Sequence, residues 1–186
     1  MARRMVTYIT MLRGINVGGA KKILMKDLTA LYEACGFTNV RTYVQSGNVV
    51  LDSSEKNPDA IAKIIEEKIE RKYKFHVTVV VRTGKDLEKV IAGNPFSKKH
   101  GIDTIRLYVT FLPDAPEQQA VQGLATVESG ADQYAVMGRE VYLFCPDGYG
   151  RTKLTNNLLE SKLKRVATTR NWNTVTTLFA MATGKG

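Results

Sequence analysis

Residues 40–53 read VRTYVQSGNVVLDS. Two runs rich in β-branched and aromatic residues flank Ser46-Gly47, and glycine supplies the positive φ that a tight hairpin turn needs. The spacing predicts a β-hairpin that turns at Ser46-Gly47. Upstream, MVTYITML (residues 5–12) reads as a strand. MKDLTALYEACG (25–36) places Leu28, Leu31, Tyr32 and Cys35 at helical spacing, and Gly36 stops the helix. Downstream, NPDAIAKIIEEKIERKY (57–73) reads as an amphipathic helix. Asn57 is its candidate cap, Pro58 suits its first position, and Ile61, Ile64, Ile65 and Ile69 form its apolar stripe. HVTVVVR (76–82) is a fourth strand. The order strand, helix, strand, strand, helix, strand is that of the ferredoxin-like split βαβ unit.

The second half repeats the theme. DLEKVIAG (86–93) is a linking helix, IRLYVTFL (105–112) a strand and APEQQAVQGLA (115–125) a helix. DQYAVMGREVYLF (132–144) is a hairpin turning at Met137-Gly138. TNNLLESKLKRVA (155–167) and NTVTTLFAMA (173–182) are helices. Tyr43 stands four residues before Gly47, and Tyr134 four before Gly138, so the hairpins are 91 residues apart. The same offset carries the helix after Pro58 to the region of Tyr149. This argues for internal duplication of an α+β unit. The fold class expected is therefore α+β, with two ferredoxin-like (βαββαβ-type) units and antiparallel sheets. The first unit is expected over residues 1–83. Residues 84–186 would hold the linking helix, the second unit and a C-terminal helix, the boundary falling near Gly84 to Pro95.

A chain of 186 residues can bury a core without disulfides or metals. Its two cysteines, Cys35 and Cys145, are far apart and form no CxxC, which suits free thiols in a reducing cytosol. The opening MARRMVTYITML has two arginines, but its apolar part is short and polar-interrupted, so it reads as a first strand rather than a signal peptide. No apolar run reaches the roughly 18 residues of a membrane span. A cytoplasmic protein without membrane association is expected. Formal net charge is +9, with 14 Lys+Arg against 8 Asp+Glu up to Thr83. Such an excess raises the local concentration of anions without choosing among them. His76 and His100 are isolated, so neither a metal site nor a cofactor is expected. Ser161 and Lys164 form an S-x-x-K string only in mid-helix, and no paired carboxylates or nucleophile elbow appear. No catalytic residue can be assigned.

Four segments concentrate polar and glycine residues. LRGINVGGAKKI (12–23) holds Gly14, Gly18 and Gly19 with Arg13, Lys21 and Lys22 and no acid, between a strand and a helix. Gly18 and Gly19 permit positive φ, and successive exposed amides there can form an anion nest beside the positive end of the next helix. The spacing matches neither GxxxxGK[ST] nor GxGxxG. In VQSGNV (44–49), Ser46 and Asn48 are ordinary hairpin-turn residues that can also bond the backbone. CPDGYGRTKLTNN (145–157) is a second glycine-rich loop, with Thr155 as a candidate N-cap. In ATTRNWNTV (167–175), Arg170, Asn171 and Trp172 can stack on and bond a base or sugar. The competing reading is a hydrogen-bonded knot in which Asn173 or Thr174 caps the last helix and Trp172 packs the halves together.

LRGINVGG, GFTNVRTYVQSGNVV and TTRNWNTV together resemble the bacterial domain-of-unknown-function family 1697, over most of the chain. The resemblance implies a pair of ferredoxin-like α+β units in a cytosolic bacterial protein. It implies no reaction, substrate or catalytic residue. The signature positions correspond to Arg13, Gly14, Asn16, Gly18, Gly19, Gln45, Ser46, Gly47, Asn48, Thr169, Arg170, Asn171 and Trp172. The leading expectation is a binding module for an anionic ligand, nucleic acid first, through Arg13, Asn16, Gly18, Gly19, Lys21, Ser46, Asn48, Arg170, Asn171 and Trp172. VRTYVQ lacks the aromatic-glycine pattern of an RNP1 string. Two alternatives stand beside it. One is an enzyme acting on a phosphorylated or carboxylated small molecule, clamped by Arg13, Lys21 and Arg170 and oriented by Asn16, Ser46 or Asn48. The other is a structural or interaction protein whose signature residues hold turns.

Overall fold

The computed structural model describes residues 4–185; Met1–Arg3, with the first of the paired arginines, and Gly186 lie outside the described residues. The chain divides into two compact units, Met1–Glu88 with Thr177–Gly186, and Lys89–Thr176.

The first unit runs β1 (Val6–Leu12), α1 (Met25–Glu33), β2 (Thr38–Tyr43), β3 (Asn48–Ser53), α2 (Pro58–Tyr73) and β4 (Val79–Thr83). Its sheet has the order β2-β3-β1-β4, antiparallel throughout. Alternation along the strands sends Tyr8, Leu12, Val49, Leu51, Val79 and Val81 into one core with Leu28 and Tyr32 of α1 and Ile61, Ile65 and Ile69 of α2. Each such aliphatic side chain contributes about 1.5–3 kcal/mol through burial. Ile64, placed on the same stripe by spacing, is 40% exposed. The i, i+4 series of Ile61, Ile65 and Ile69 carries the contact, and Ile64 falls to its side. The Asn57 side chain accepts from the Asp59 amide at 3.0 Å and caps α2 as expected.

The connection between β2 and β3 spans four residues, Val44–Gly47, rather than Ser46-Gly47 alone. Tyr43 pairs with Asn48, and the buried Asn48 side chain closes the loop by donating to Tyr43 O (3.0 Å) and Ser46 Oγ (2.9 Å). Gly47 takes φ +82°, and a Cβ there would stand 2.7 Å from Ile15 Cδ1 and 2.8 Å from Leu12 Cβ. Leu12 N donates to Gly47 O at 2.9 Å, so the hairpin tip is tied to the end of β1.

The second unit runs β5 (Leu107–Phe111), α4 (Gln118–Leu124), β6 (Gln133–Met137), β7 (Glu140–Phe144), α5 (Asn156–Leu163) and β8 (Thr168–Asn171), with sheet order β6-β7-β5-β8. This is the topology of the first unit, and the pair of similar sheet-helix units is consistent with duplication. Tyr8-Ile9-Thr10-Met11-Leu12 and Tyr108-Val109-Thr110-Phe111-Leu112 occupy matching places on β1 and β5, 100 residues apart. On the adjoining strands Arg82 lies opposite Ile9 and Arg170 opposite Val109, and both arginines are buried. Each donates Nη1 to the carbonyl of the preceding residue, Val81 at 3.0 Å and Thr169 at 2.9 Å.

Strand β8 is the final strand that a second βαββαβ-type unit requires, and it falls on the polar segment to which no element was assigned from sequence. It pairs antiparallel with β5 from Tyr108↔Asn171 to Phe111↔Thr168. Its residues are polar because their side chains join a hydrogen-bonded network. Thr169 Oγ1 lies 2.7 Å from Thr110 Oγ1 and donates to Asn156 Oδ1 at 2.7 Å. Boundaries shift nearby. The β6–β7 turn is Gly138-Arg139, since Met137 pairs with Glu140. Helix α5 stops at Leu163, where Lys164 turns left-handed at φ +55°. Thr155 caps α5 by accepting from Leu158 N, as expected. Helix α3 (Gly84–Gly93) follows β4 directly, and α6 (Trp172–Thr183) follows β8 directly.

Candidate ligand-binding clefts

The glycine-rich loop after β1 is a miniature hairpin. Ala20 N donates to Val17 O (3.1 Å) and Asn16 N to Lys21 O (3.2 Å), around Gly18 at φ +58° and Gly19 at φ +79°. Positive φ at both central positions is the requirement of a type I′ turn, which only glycine meets without strain. A Cβ at either position would meet nothing within 4 Å, so the demand is conformational, not steric.

Several predicted ligand residues instead build this loop. Asn16 donates Nδ2 to Ile23 O (2.9 Å) and Gln45 O (2.8 Å), and its Oδ1 accepts from Ile23 N (2.9 Å). One side chain thereby closes the loop and fastens it to the β2–β3 tip. Lys21 donates to His76 O at 2.7 Å and sits 5.9 Å from the centre of the Phe75 ring. Ser46 and Asn48 hold the hairpin, and Arg13 is half-buried with its amide on Thr78 O. What remains is on the backbone. The amides of Gly18 and Gly19 have no hydrogen-bond partner among the described residues. Leu24 stands at the N-cap position before α1, offers no side-chain cap and is 71% exposed. Gly19 and Leu24 line a cleft of about 310 Å³ together with Asn16, Lys22, Ile23, Met25 and Gln45, and Gly18 precedes Gly19 in the turn.

The second polar segment behaves differently. Arg170, predicted to contact an anion, is only 7% exposed and donates to Thr168 Oγ1 (2.8 Å) and Thr169 O (2.9 Å). Burial pushes its guanidinium pKa down to about 10, still well above neutrality. It belongs to the sheet, not to an open site. Asn171 Oδ1 accepts from Thr174 N at 2.8 Å, so Asn171 caps α6, rather than Asn173 or Thr174. The half-buried Trp172 opens the helix beside it. Together with Thr104, Ile105, Tyr108, Asn173 and Thr176 these two line a cleft of about 510 Å³.

Behind the cleft, the Tyr108 ring lies 5.1 Å from Tyr149, tilted by 36°, and Tyr149 OH donates to Thr169 Oγ1 at 3.2 Å. The second glycine-rich loop thus contributes through Tyr149, and Gly148 makes room for Arg106, whose Nη1 is 3.0 Å from where a Cβ would stand. Sequence reasoning missed Tyr108 and Thr104. Tyr108 sits in an apolar strand with nothing local to mark it as lining a cleft. The 91-residue offset of the hairpins carries Tyr8 to Lys99, so only the strand pairing matches Tyr108 with Tyr8.

Among the described residues, no three His, Cys, Asp or Glu side chains come together in a way that could hold a metal ion. No helix among them is long and apolar enough to cross a membrane. Cys35 and Cys145 are free thiols.

Residues 5–142 match the family described as "Protein of unknown function (DUF1697)". No curated protein matches the chain. Among solved structures, the chain is similar to the conserved bacterial protein SP0830 from Streptococcus pneumoniae. The two are 23% identical, with a TM-score of 0.72, and the match covers 96% of this chain and 99% of that one. At this identity the likeness speaks to the fold alone, and it agrees with the duplicated α+β architecture.

Proposed function

We propose that this chain, which belongs to the DUF1697 family of proteins of unknown function, is a cytosolic binding module for an anionic ligand, with nucleic acid as the leading candidate. The observation that carries the reading is the successive Gly18 and Gly19 amides left without acceptors, in a turn whose Gly19 lines a cleft. Preorganised amides, the positive end of α1 and the exposed Lys22 act in the same direction on a phosphate. The βαββαβ topology does not by itself call for a glycine- and lysine-rich loop at this connection. The equivalent connection in the second unit, Leu112–Glu117, reads LPDAPE, with two acids and neither glycine nor cation. In this proposal residues 1–83 form the domain with the anion cleft and residues 84–186 a second α+β domain. The net charge of +9 draws polyanions to the surface.

The test is fluorescence anisotropy of a labelled single-stranded oligonucleotide over a range of salt. Affinity should fall linearly on a log–log plot. Lys22→Ala should reduce the slope by about 0.7, the loss of one phosphate contact. Absence of binding at low salt, where such contacts are strongest, overturns the proposal.

A further inference from the structure

We infer that the cleft at the β8–α6 junction is a nucleobase site, in which a flat heteroaromatic ring packs against Trp172 and Tyr108. The inference does not rest on the Gly18-Gly19 reading, because it concerns an uncharged ligand group and a different unit of the chain.

The volume, about 510 Å³, lies within the range of small-molecule sites. No charged side chain lines the cleft, which selects against an isolated phosphate or carboxylate as the group held inside it. The two aromatic rings favour a planar partner, since stacking against aromatic side chains is the general means of holding an unpaired base. The polar groups select against a purely apolar occupant. Asn171 spends its carbonyl oxygen on the α6 cap, which leaves its NH2 as a donor. That NH2, the Thr104 hydroxyl and the Trp172 indole N–H have no hydrogen-bond partner among the described residues. A hydrocarbon would cover them unbonded, which is unfavourable, whereas the edge of a base carries both donors and acceptors.

The duplication supplies an internal control. In the first unit the matching tyrosine, Tyr8, is 2% exposed and donates its hydroxyl to Glu55 O at 2.9 Å. The matching strand end, Thr83, exchanges hydrogen bonds with Asp86 to cap α3, and Gly84 stands where the second unit has Trp172. At Gly84 a Cβ would stand 2.8 Å from Thr183 Cγ2, so close packing by α6 demands glycine there, and the junction itself forms without a side chain at that position. The second unit makes the same junction with an indole, and its tyrosine, Tyr108, is half-buried at a cleft.

Trp172 is the only tryptophan, so intrinsic emission reports on this cleft alone. Adenosine, cytidine and uridine, which carry no phosphate, should quench that emission saturably, with an affinity that salt hardly changes. Tyr108→Leu, which also gives up the packing of its ring on Tyr149, should weaken this quenching about tenfold in protein that circular dichroism shows to be folded, while Lys22→Ala should leave it intact. For the unaltered protein, nucleoside-induced amide shifts in NMR spectra should fall within residues 104–108 and 171–176. Emission that stays constant up to about 10 mM nucleoside, an affinity too weak to matter, overturns the inference. Quenching that survives intact in a folded Tyr108→Leu variant, or shifts confined to other residues, overturns it equally. Loss of salt-dependent oligonucleotide binding in Lys22→Ala concerns the anion cleft alone.

Discussion

Replacing glycine by alanine at two neighbouring turns should have very different costs. Gly18 and Gly47 both take left-handed backbone angles, φ +58° and +82°. Forcing a Cβ into that region costs about 1–2 kcal/mol at either position. At Gly18 nothing lies within 4 Å of the new atom, so the cost ends there. At Gly47 the new Cβ would stand 2.7 Å from Ile15 Cδ1 and 2.8 Å from Leu12 Cβ. Ile15 and Leu12 are both buried, at 1% and 0% exposure, and cannot swing into solvent. Overpacking of that kind adds about 1–3 kcal/mol. Gly47→Ala should therefore destabilise by about 2–5 kcal/mol and Gly18→Ala by about 1–2 kcal/mol. For a chain of this length each kcal/mol lowers the melting temperature by about 2–4 °C. Urea denaturation followed by circular dichroism measures both variants directly. Equal losses at the two positions would refute the argument, since they would show that the contact with Leu12 and Ile15 does not constrain the hairpin tip. A Gly18→Asn variant separates the terms further. Asparagine tolerates the left-handed region, so Gly18→Asn should lie between wild type and Gly18→Ala.

Asn16→Ala removes three hydrogen bonds at once, to Ile23 O, Gln45 O and Ile23 N. It should cost about 2–3 kcal/mol and speed hydrogen exchange at the Ile23 amide, which loses its acceptor, while distant strand amides keep their protection. The two thiols should separate in alkylation. Burial pushes the Cys145 thiol up to about 11, and Cys145 has no exposed surface, whereas Cys35 is half-buried and raised less far. A raised thiol pKa leaves the unreactive protonated form dominant below it, so at pH 8 iodoacetamide should label Cys35 first and Cys145 only after denaturation, as read by mass spectrometry. Prompt labelling of Cys145 in the native protein would contradict its burial.

Much of the architecture was legible because it is written in short-range periodicity. The i, i+4 isoleucines of α2, its Asn57 cap and the β-branched apolar runs of β1 and β4 act over a few residues, and each element appears where the sequence placed it. The recurrence of a Tyr-to-Gly hairpin at Tyr43–Gly47 and Tyr134–Gly138 pointed to the duplication but not to its register, since Met137, not Tyr134, ends β6 as Tyr43 ends β2. The site was less legible. Asn16, Lys21, Ser46 and Asn48 look like ligand residues because they are polar and cluster at glycine turns, yet each is held by internal partners. Those partners lie up to 55 residues away, as His76 does from Lys21, and no local pattern reveals them.

By itself the sequence determined the βαββαβ order of the first unit, the repeat behind the second, the glycine turns and the net charge, since these follow from composition and from spacings within one element. Only the tertiary structure decided that Thr168–Asn171 is a strand, that Arg170 is enclosed while Trp172 lines a cleft, and that Tyr108 stands beside it. The strand exists because β5, some sixty residues earlier, supplies its hydrogen-bond partners, as in the contact between Thr110 and Thr169. Which side of a sheet is covered depends on what the rest of the chain brings to it. Arg170 and Trp172, two residues apart, therefore have opposite fates.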